Sequence, residues 1–216
     1  MNYSKIKSIF SMKYYGMFLL LAMVATWLNS CQNAQPEQVS IKRIVNGEIV
    51  EDTAAYSIPE FRFANQFGDT LTNKDVEGKY LVVDFFFINC PSICPKMKAQ
   101  MLRVYDKFKD RNDFLILSHS IDPKRDTVAA LLHYTQKLGV GKNWFFLTGI
   151  KEQLFAAADK YLIAAEEDPQ SPGGFAHSGN FVLADKTGRL RGYYDGTNPQ
   201  SVDKLIADLE KLLQEK

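Results

Sequence analysis

The stretch Tyr80-Leu81-Val82-Val83-Asp84-Phe85-Phe86-Phe87-Ile88-Asn89-Cys90-Pro91-Ser92-Ile93-Cys94-Pro95 decides the reading of this 216-residue chain. Its first eight residues are apolar but for Asp84 and read as a buried strand. The residues after Cys94 read as a helix, with Pro95 in the first turn, where a missing N–H leaves nothing unsatisfied. Two thiols four positions apart therefore fall at a strand-to-helix junction. A helix N-terminus offers unpaired N–H groups and partial positive charge, which favour thiolate over thiol, and Lys96 and Lys98 add to this. The three-residue spacer brings both sulfurs within disulfide reach or lets both face one metal ion. A purely structural staple is the weaker alternative, because so short a ring gains little loop-closure entropy. Redox chemistry and soft-metal binding both remain open at this point.

Downstream, apolar strands alternate with amphipathic helices. Residues 114–121 read as a second strand and 144–147 as a third. Helices are expected over 95–109, over 127–138 with Asp126 or Thr127 as cap and Gly139 as stop, and over 151–161. Residues 180–183 and 190–194 flank Asp185-Lys186-Thr187-Gly188 as a hairpin, and residues 199–213 form a closing amphipathic helix. Upstream, residues 41–49 centred on Asn46-Gly47 read as a hairpin, and residues 58–63 with 68–70 as a second strand pair. The order β-α-β-α-β-α-β-β-α predicts an α/β, thioredoxin-like, three-layer fold: a central mixed sheet, helices on both faces and an N-terminal hairpin extension. Active groups in such sheets lie beyond the carboxyl ends of the strands, where Cys90 and Cys94 fall.

The first residues are a targeting segment. Lys5, Lys7 and Lys13 precede an apolar run from 17 to 28, too short to span a membrane comfortably. Leu28-Asn29-Ser30-Cys31 follows and is similar to the lipobox of bacterial lipoproteins, which implies a signal peptide over 1–30, a lipidated Cys31, a flexible tether to residue 40 and a domain over 41–216. Cleavage removes three lysines and no acid, moving the net charge from +1 to −2. Lysine plus arginine (26) nearly balances aspartate plus glutamate (25), so no basic surface for nucleic acid is expected. The compartment is extracytoplasmic and oxidising, which leaves Cys90 and Cys94 as a disulfide, a metal site or a pair that switches between them.

The chain has three histidines. His177, in Phe175-Ala176-His177-Ser178, precedes a hairpin strand at a junction that faces the cysteine loop in a thioredoxin-like fold. Two thiolates and one imidazole would suit copper, although from spacing alone a lone histidine is more often a surface or supporting residue than a ligand. His119 reads as a buried, hydrogen-bonded core residue and His133 as a solvated helix residue. No phosphate-binding glycine loop, nucleophile elbow or carboxylate pair is present.

Over residues 78–213 the chain resembles the Sco/SenC family of copper-binding proteins. The likeness is carried by Cys90-Pro91-Ser92-Ile93-Cys94-Pro95, by Ser120-Ile121-Asp122-Pro123-Lys124-Arg125-Asp126-Thr127, by Leu147-Thr148-Gly149 and by His177-Ser178 before a strand–turn–strand. The resemblance implies a thioredoxin fold and one copper ion, Cu(I) or Cu(II), held by Cys90, Cys94 and His177. It implies a role in building the copper centre of cytochrome c oxidase, by delivering copper, by reducing the target's cysteines, or both. The partners it implies are a copper-receiving oxidase subunit, a thiol reductant protein and, through Cys31, a membrane. Ser92, Ala176 and Asn89 stand where the family usually has Asp, Asp, and Thr or His, so the surroundings of the ligands differ while the ligands are kept. The alternatives to a metallochaperone are an extracytoplasmic thiol–disulfide oxidoreductase, with Cys90 and Cys94 as its redox pair, and a copper or redox sensor. A peroxide-reducing relative is disfavoured, since no Thr and Arg flank Cys90 in the manner that chemistry needs.

Overall fold

Strand β5 (Tyr80–Phe86) is buried along its whole length, and the rest of the domain is arranged around it. The computed structural model describes residues 41–45, 48–52 and 56–214, with side chains from 56 to 214. The expected signal segment, Cys31 and the tether, and the Asn46-Gly47 turn, lie outside the described residues.

β1 (Ile41–Val45) and β2 (Glu48–Asp52) pair antiparallel with Val45 opposite Glu48, the N-terminal hairpin that was expected. β3 (Arg62–Asn65), β4 (Thr70–Thr72) and the single turn α1 (Asn73–Val76) follow. Then come β5, α2 (Cys94–Phe108), β6 (Phe114–Ser120), α3 (Val128–Leu138), β7 (Trp144–Thr148), α4 (Lys151–Lys160), β8 (Ala165–Glu167), β9 (Phe175–His177), β10 (Asn180–Ala184), β11 (Leu190–Asp195) and α5 (Pro199–Gln214). The main sheet runs β11-β10-β5-β6-β7-β3-β4. β5, β6 and β7 are parallel, joined by helical crossovers, while β10, β11, β3 and β4 add antiparallel edges.

Period-two alternation along β5 divides its side chains between two cores. Leu81, Val83, Phe85 and Phe87 pack on the face covered by α4, against Leu154 and Tyr161. Tyr80, Val82 and Phe86 pack on the opposite face, against Met101 and Val104 of α2 and Leu205 and Leu209 of α5. Both faces are covered because a parallel sheet exposes no face to water. This is the predicted thioredoxin-like three-layer architecture. Thr127 caps α3 through its hydroxyl, and Gly139 ends it at φ 67°, as their residue types predict.

Two features depart from the sequence reading. β8 and β9 form a small separate hairpin, registered Ala165 to His177 and Glu167 to Phe175, that strand patterning does not reveal. His119 is buried, but neither ring nitrogen has a hydrogen-bond partner. It is caged by rings instead: stacked on Phe85 at 4.9 Å and meeting Phe63 edge-on at 5.6 Å.

Candidate metal centre

β5 delivers its chain to the top of the sheet, and the loop that follows turns sharply enough for the Cys90 N–H to donate to the Phe87 carbonyl (3.2 Å). Cys90 is buried and Cys94, the first residue of α2, is half-buried; both are free thiols. The sulfurs of Cys90 and Cys94 and a ring nitrogen of His177 all lie within 4.8 Å of one another. The spacing thus brings all three predicted donors together, although His177 comes from the β8–β9 hairpin that the sequence did not disclose.

The protonation pattern follows from the partners. His177 Nδ1 lies 3.0 Å from the Ser178 carbonyl, which can only accept, so Nδ1 carries the proton. The lone pair is then on Nε2, 3.3 Å from Cys94 Sγ. Burial holds the imidazole pKa below its usual value, against the weaker pull of the Ser178 carbonyl, so the ring is a neutral ligand. Burial also pushes the Cys94 thiol well up, aided by its hydrogen bond to Cys90 and by the charges of Cys90 and Asp84. For Cys90 burial again opposes ionisation. Hydrogen bonds from the Cys94 side chain, the Ser92 and Cys94 N–H groups and the Ser92 hydroxyl outweigh it and lower the pKa. Of the two thiols, Cys90 is therefore the one that ionises more readily, and Cys94 the one that keeps its proton longer. Ser92 Oγ is 3.6 Å from Cys90 Sγ. The Lys98 ammonium lies 5.9 Å from the centre of the Tyr134 ring.

Several residues that spacing did not single out shape the site. Asp126, almost fully buried, accepts from Ser120 Oγ (2.7 Å) and from the Ile88 N–H (3.2 Å), which ties the entrance of the cysteine loop to the turn after β6. Phe87 meets His177 edge-on at 6.1 Å and Phe175 at 5.3 Å. Gly173 has φ +88°, and a Cβ there would stand 2.6 Å from the Phe87 ring, so only glycine lets the hairpin loop close over the cysteine loop. Of the other histidines, His119 lies in its aromatic cage and His133 is exposed on α3, so neither joins the site.

Two thiol sulfurs and one unprotonated imidazole nitrogen, partly shielded from water, form a soft three-donor set. The same two thiols can instead close to a disulfide. The sequence profile of the SCO1/SenC family matches residues 50–214. The SCO1 protein homolog of Bacillus subtilis (strain 168) is 30% identical over 167 residues, spanning 76% of this chain and 86% of its own length. The solved structure of a SCO1/SenC family lipoprotein from Bacillus anthracis str. Ames superposes with a TM-score of 0.68 at 29% identity, over 74% of this chain and 96% of that one. BsSco, a member of the Sco family of cytochrome c oxidase assembly proteins in which a disulfide switch was identified, superposes with a TM-score of 0.65 at 30% identity, over 75% of this chain and 96% of BsSco.

Proposed function

The chain belongs to the SCO1/SenC family, and from that premise we propose that it is a membrane-tethered copper metallochaperone serving the assembly of a cytochrome c oxidase. The observation that carries this reading is the cluster of Cys90, Cys94 and His177 donor atoms, with the His177 lone pair directed at the Cys94 sulfur. Cu(I) favours few, soft ligands, and two thiolates with one imidazole supply them. The ion is cargo: it enters as Cys94 gives up its proton and leaves when a receiving site offers better ligands. Oxidation of the pair to a disulfide removes two electrons, two protons and both sulfur ligands at once, so the redox state sets whether copper is held. Lipidation of Cys31 would keep the domain at the outer side of a bacterial membrane; among the described residues no helix is long and apolar enough to cross one.

Copper titration of the reduced full chain in detergent, followed by thiolate-to-copper charge-transfer absorption, tests the reading. One equivalent should bind, and His177→Ala should weaken binding by about 10-fold or more, the range expected when a ligand or its support is lost. Wild-type protein that takes up no copper, or an unchanged affinity in His177→Ala, would end it.

A second reading draws on the lowered Cys90 pKa: a thiol–disulfide reductase for the oxidase subunit's cysteines. The Cys90 thiolate would attack the target disulfide, forming a mixed disulfide and releasing one target thiol. Cys94 would then displace the second, so that this pair is oxidised as the target is reduced, and a thiol reductant protein would reset it. A mixed disulfide trapped by Cys94→Ser would support that route.

A further inference from the structure

The two halves of the metal centre come from distant parts of the chain, yet one turn after β6 touches both. Asp126 of that turn holds the Ile88 N–H at the root of the cysteine loop. Arg125, the residue just before it, reaches the other half. Its Nε pairs with the nearly buried Asp122 carboxylate, its Nη2 donates to the Gly173 carbonyl (2.8 Å), and its guanidinium carbon lies 5.8 Å from the centre of the Phe175 ring. Phe175 is two residues before His177 on β9, and its other neighbour is Phe87 of the cysteine loop.

We propose that Arg125 is a positioning residue for the metal centre, clamping the β8–β9 hairpin through Gly173 and Phe175 so that the His177 imidazole stays against Cys94. The planar guanidinium is what the position needs. One arm grips the carboxylate, another the carbonyl, and the flat face covers the ring, which a lysine ammonium cannot do together. Asp122 is fixed in turn: its N–H donates to Ser120 Oγ, which itself donates to Asp126. The clamp on the histidine and the tie on the cysteine loop are thus one hydrogen-bonded unit. Lys151 also reaches the hairpin, pairing with Glu167 at 3.0 Å, but there both partners are exposed, whereas Arg125 pairs with the nearly buried Asp122. Releasing Arg125 would loosen the hairpin that carries His177, while Cys90 and Cys94 stay on their own loop.

The inference rests on the copper reading for its consequence, so two readouts are needed on the full chain. Amide hydrogen exchange of metal-free protein should show the N–H groups of Asp168, Gly174 and Ser178, which close the hairpin, exchanging faster in both Arg125→Lys and Arg125→Ala, and unaltered in Lys151→Ala. Release of bound Cu(I) to excess chelator should be about 10-fold faster in both Arg125 variants, the scale of losing a group that orients a ligand. In a His177→Ala background the same Arg125 changes should be silent, because the residue acts only through that ligand. Equal protection of the hairpin in wild type and Arg125→Lys, or an undiminished Arg125 effect in His177→Ala, would overturn the proposal. Failure of wild type to bind copper would instead remove the copper reading, and hydrogen exchange would still decide the clamp.

Discussion

Asp84 and His119 are both buried in the sheet and respond to pH in opposite directions. Burial raises the Asp84 carboxyl to about 7, against the hydrogen bond from Ser118, which also receives the Trp144 indole N–H. The folded state then holds the Asp84 proton between pH 3.8 and about 7 while the unfolded chain has lost it, so this group's contribution falls as pH rises through that window. Asp84→Asn keeps an acceptor for Ser118 and removes the buried charge. It should leave stability near wild type at pH 4 and raise it by on the order of 2–4 kcal/mol at pH 8, measured by urea unfolding. A stabilisation that does not grow with pH would show that Asp84 is ionised at no cost. His119 behaves oppositely. Burial lowers its pKa to about 4, with slight opposition from the backbone of Asp84 and Leu117, so the unfolded chain binds the extra proton between about 4 and 6.5. Its contribution is present above pH 6.5 and is lost as pH falls to 4. His119→Leu should therefore gain on wild type by about 3 kcal/mol between pH 7 and pH 4. Little hydrogen bonding is forfeited in the exchange, since neither ring nitrogen has a well-formed partner. The sequence located both residues in strands but disclosed neither the ring cage nor the chain from Trp144 to Asp84, which only strand register brings together.

Element by element, what could be read in advance follows the strength of local periodicity. β5 and β6 are unbroken runs buried at every position, α5 carries a repeating helical stripe, and α3 is bracketed by a cap and a stop; the structure reproduces all four. The β8–β9 hairpin has three residues on each side, none of them buried, and a linker, Asp168-Pro169-Gln170-Ser171-Pro172-Gly173-Gly174, that looks like an ordinary loop. Its form is imposed by tertiary contacts, with Arg125, Phe87 and the Ala164 carbonyl, and these have no local signature. Gly173 is the residue on which the hairpin's closure depends. Gly173→Ala would place a Cβ against the Phe87 ring in a backbone conformation that costs an L-residue about 1–3 kcal/mol. The expected result is a loosened hairpin, visible as faster amide exchange at Asp168 and Ser178, and weaker copper binding, while global stability changes by less than a Phe85→Ala substitution in the core. Unaltered exchange and copper affinity in Gly173→Ala would mean that the hairpin closes without that contact.

At the scale of the molecule, two cores on either face of one sheet leave its upper edge as the place where function can vary. The cysteine loop leaves β5 there, the Asp122–Asp126 turn leaves β6, and the hairpin precedes β10, the antiparallel neighbour of β5. The strands thus fix the roots of three connecting pieces, and the donor atoms meet only above them. The thiols were legible in the sequence because Cys90 and Cys94 share a loop. The expected fold made the histidine a candidate, and family likeness alone raised it above a surface role, because 83 positions separate it from Cys94 and no periodicity spans that gap. This construction makes the metal site conditional on the redox state of the pair. A disulfide needs the sulfurs at about 2 Å, whereas a shared metal ion needs each sulfur free to ligate it, so the two arrangements exclude one another. Copper affinity of the full chain should therefore fall by at least about 100-fold on oxidation of Cys90 and Cys94, two of three ligands being lost, and return on reduction. Titration of the same sample before oxidation, after it and after re-reduction measures this directly. Equal affinity in the oxidised state would mean that His177 and other groups hold copper without the thiols, and the exclusive coupling of metal to redox state would be wrong.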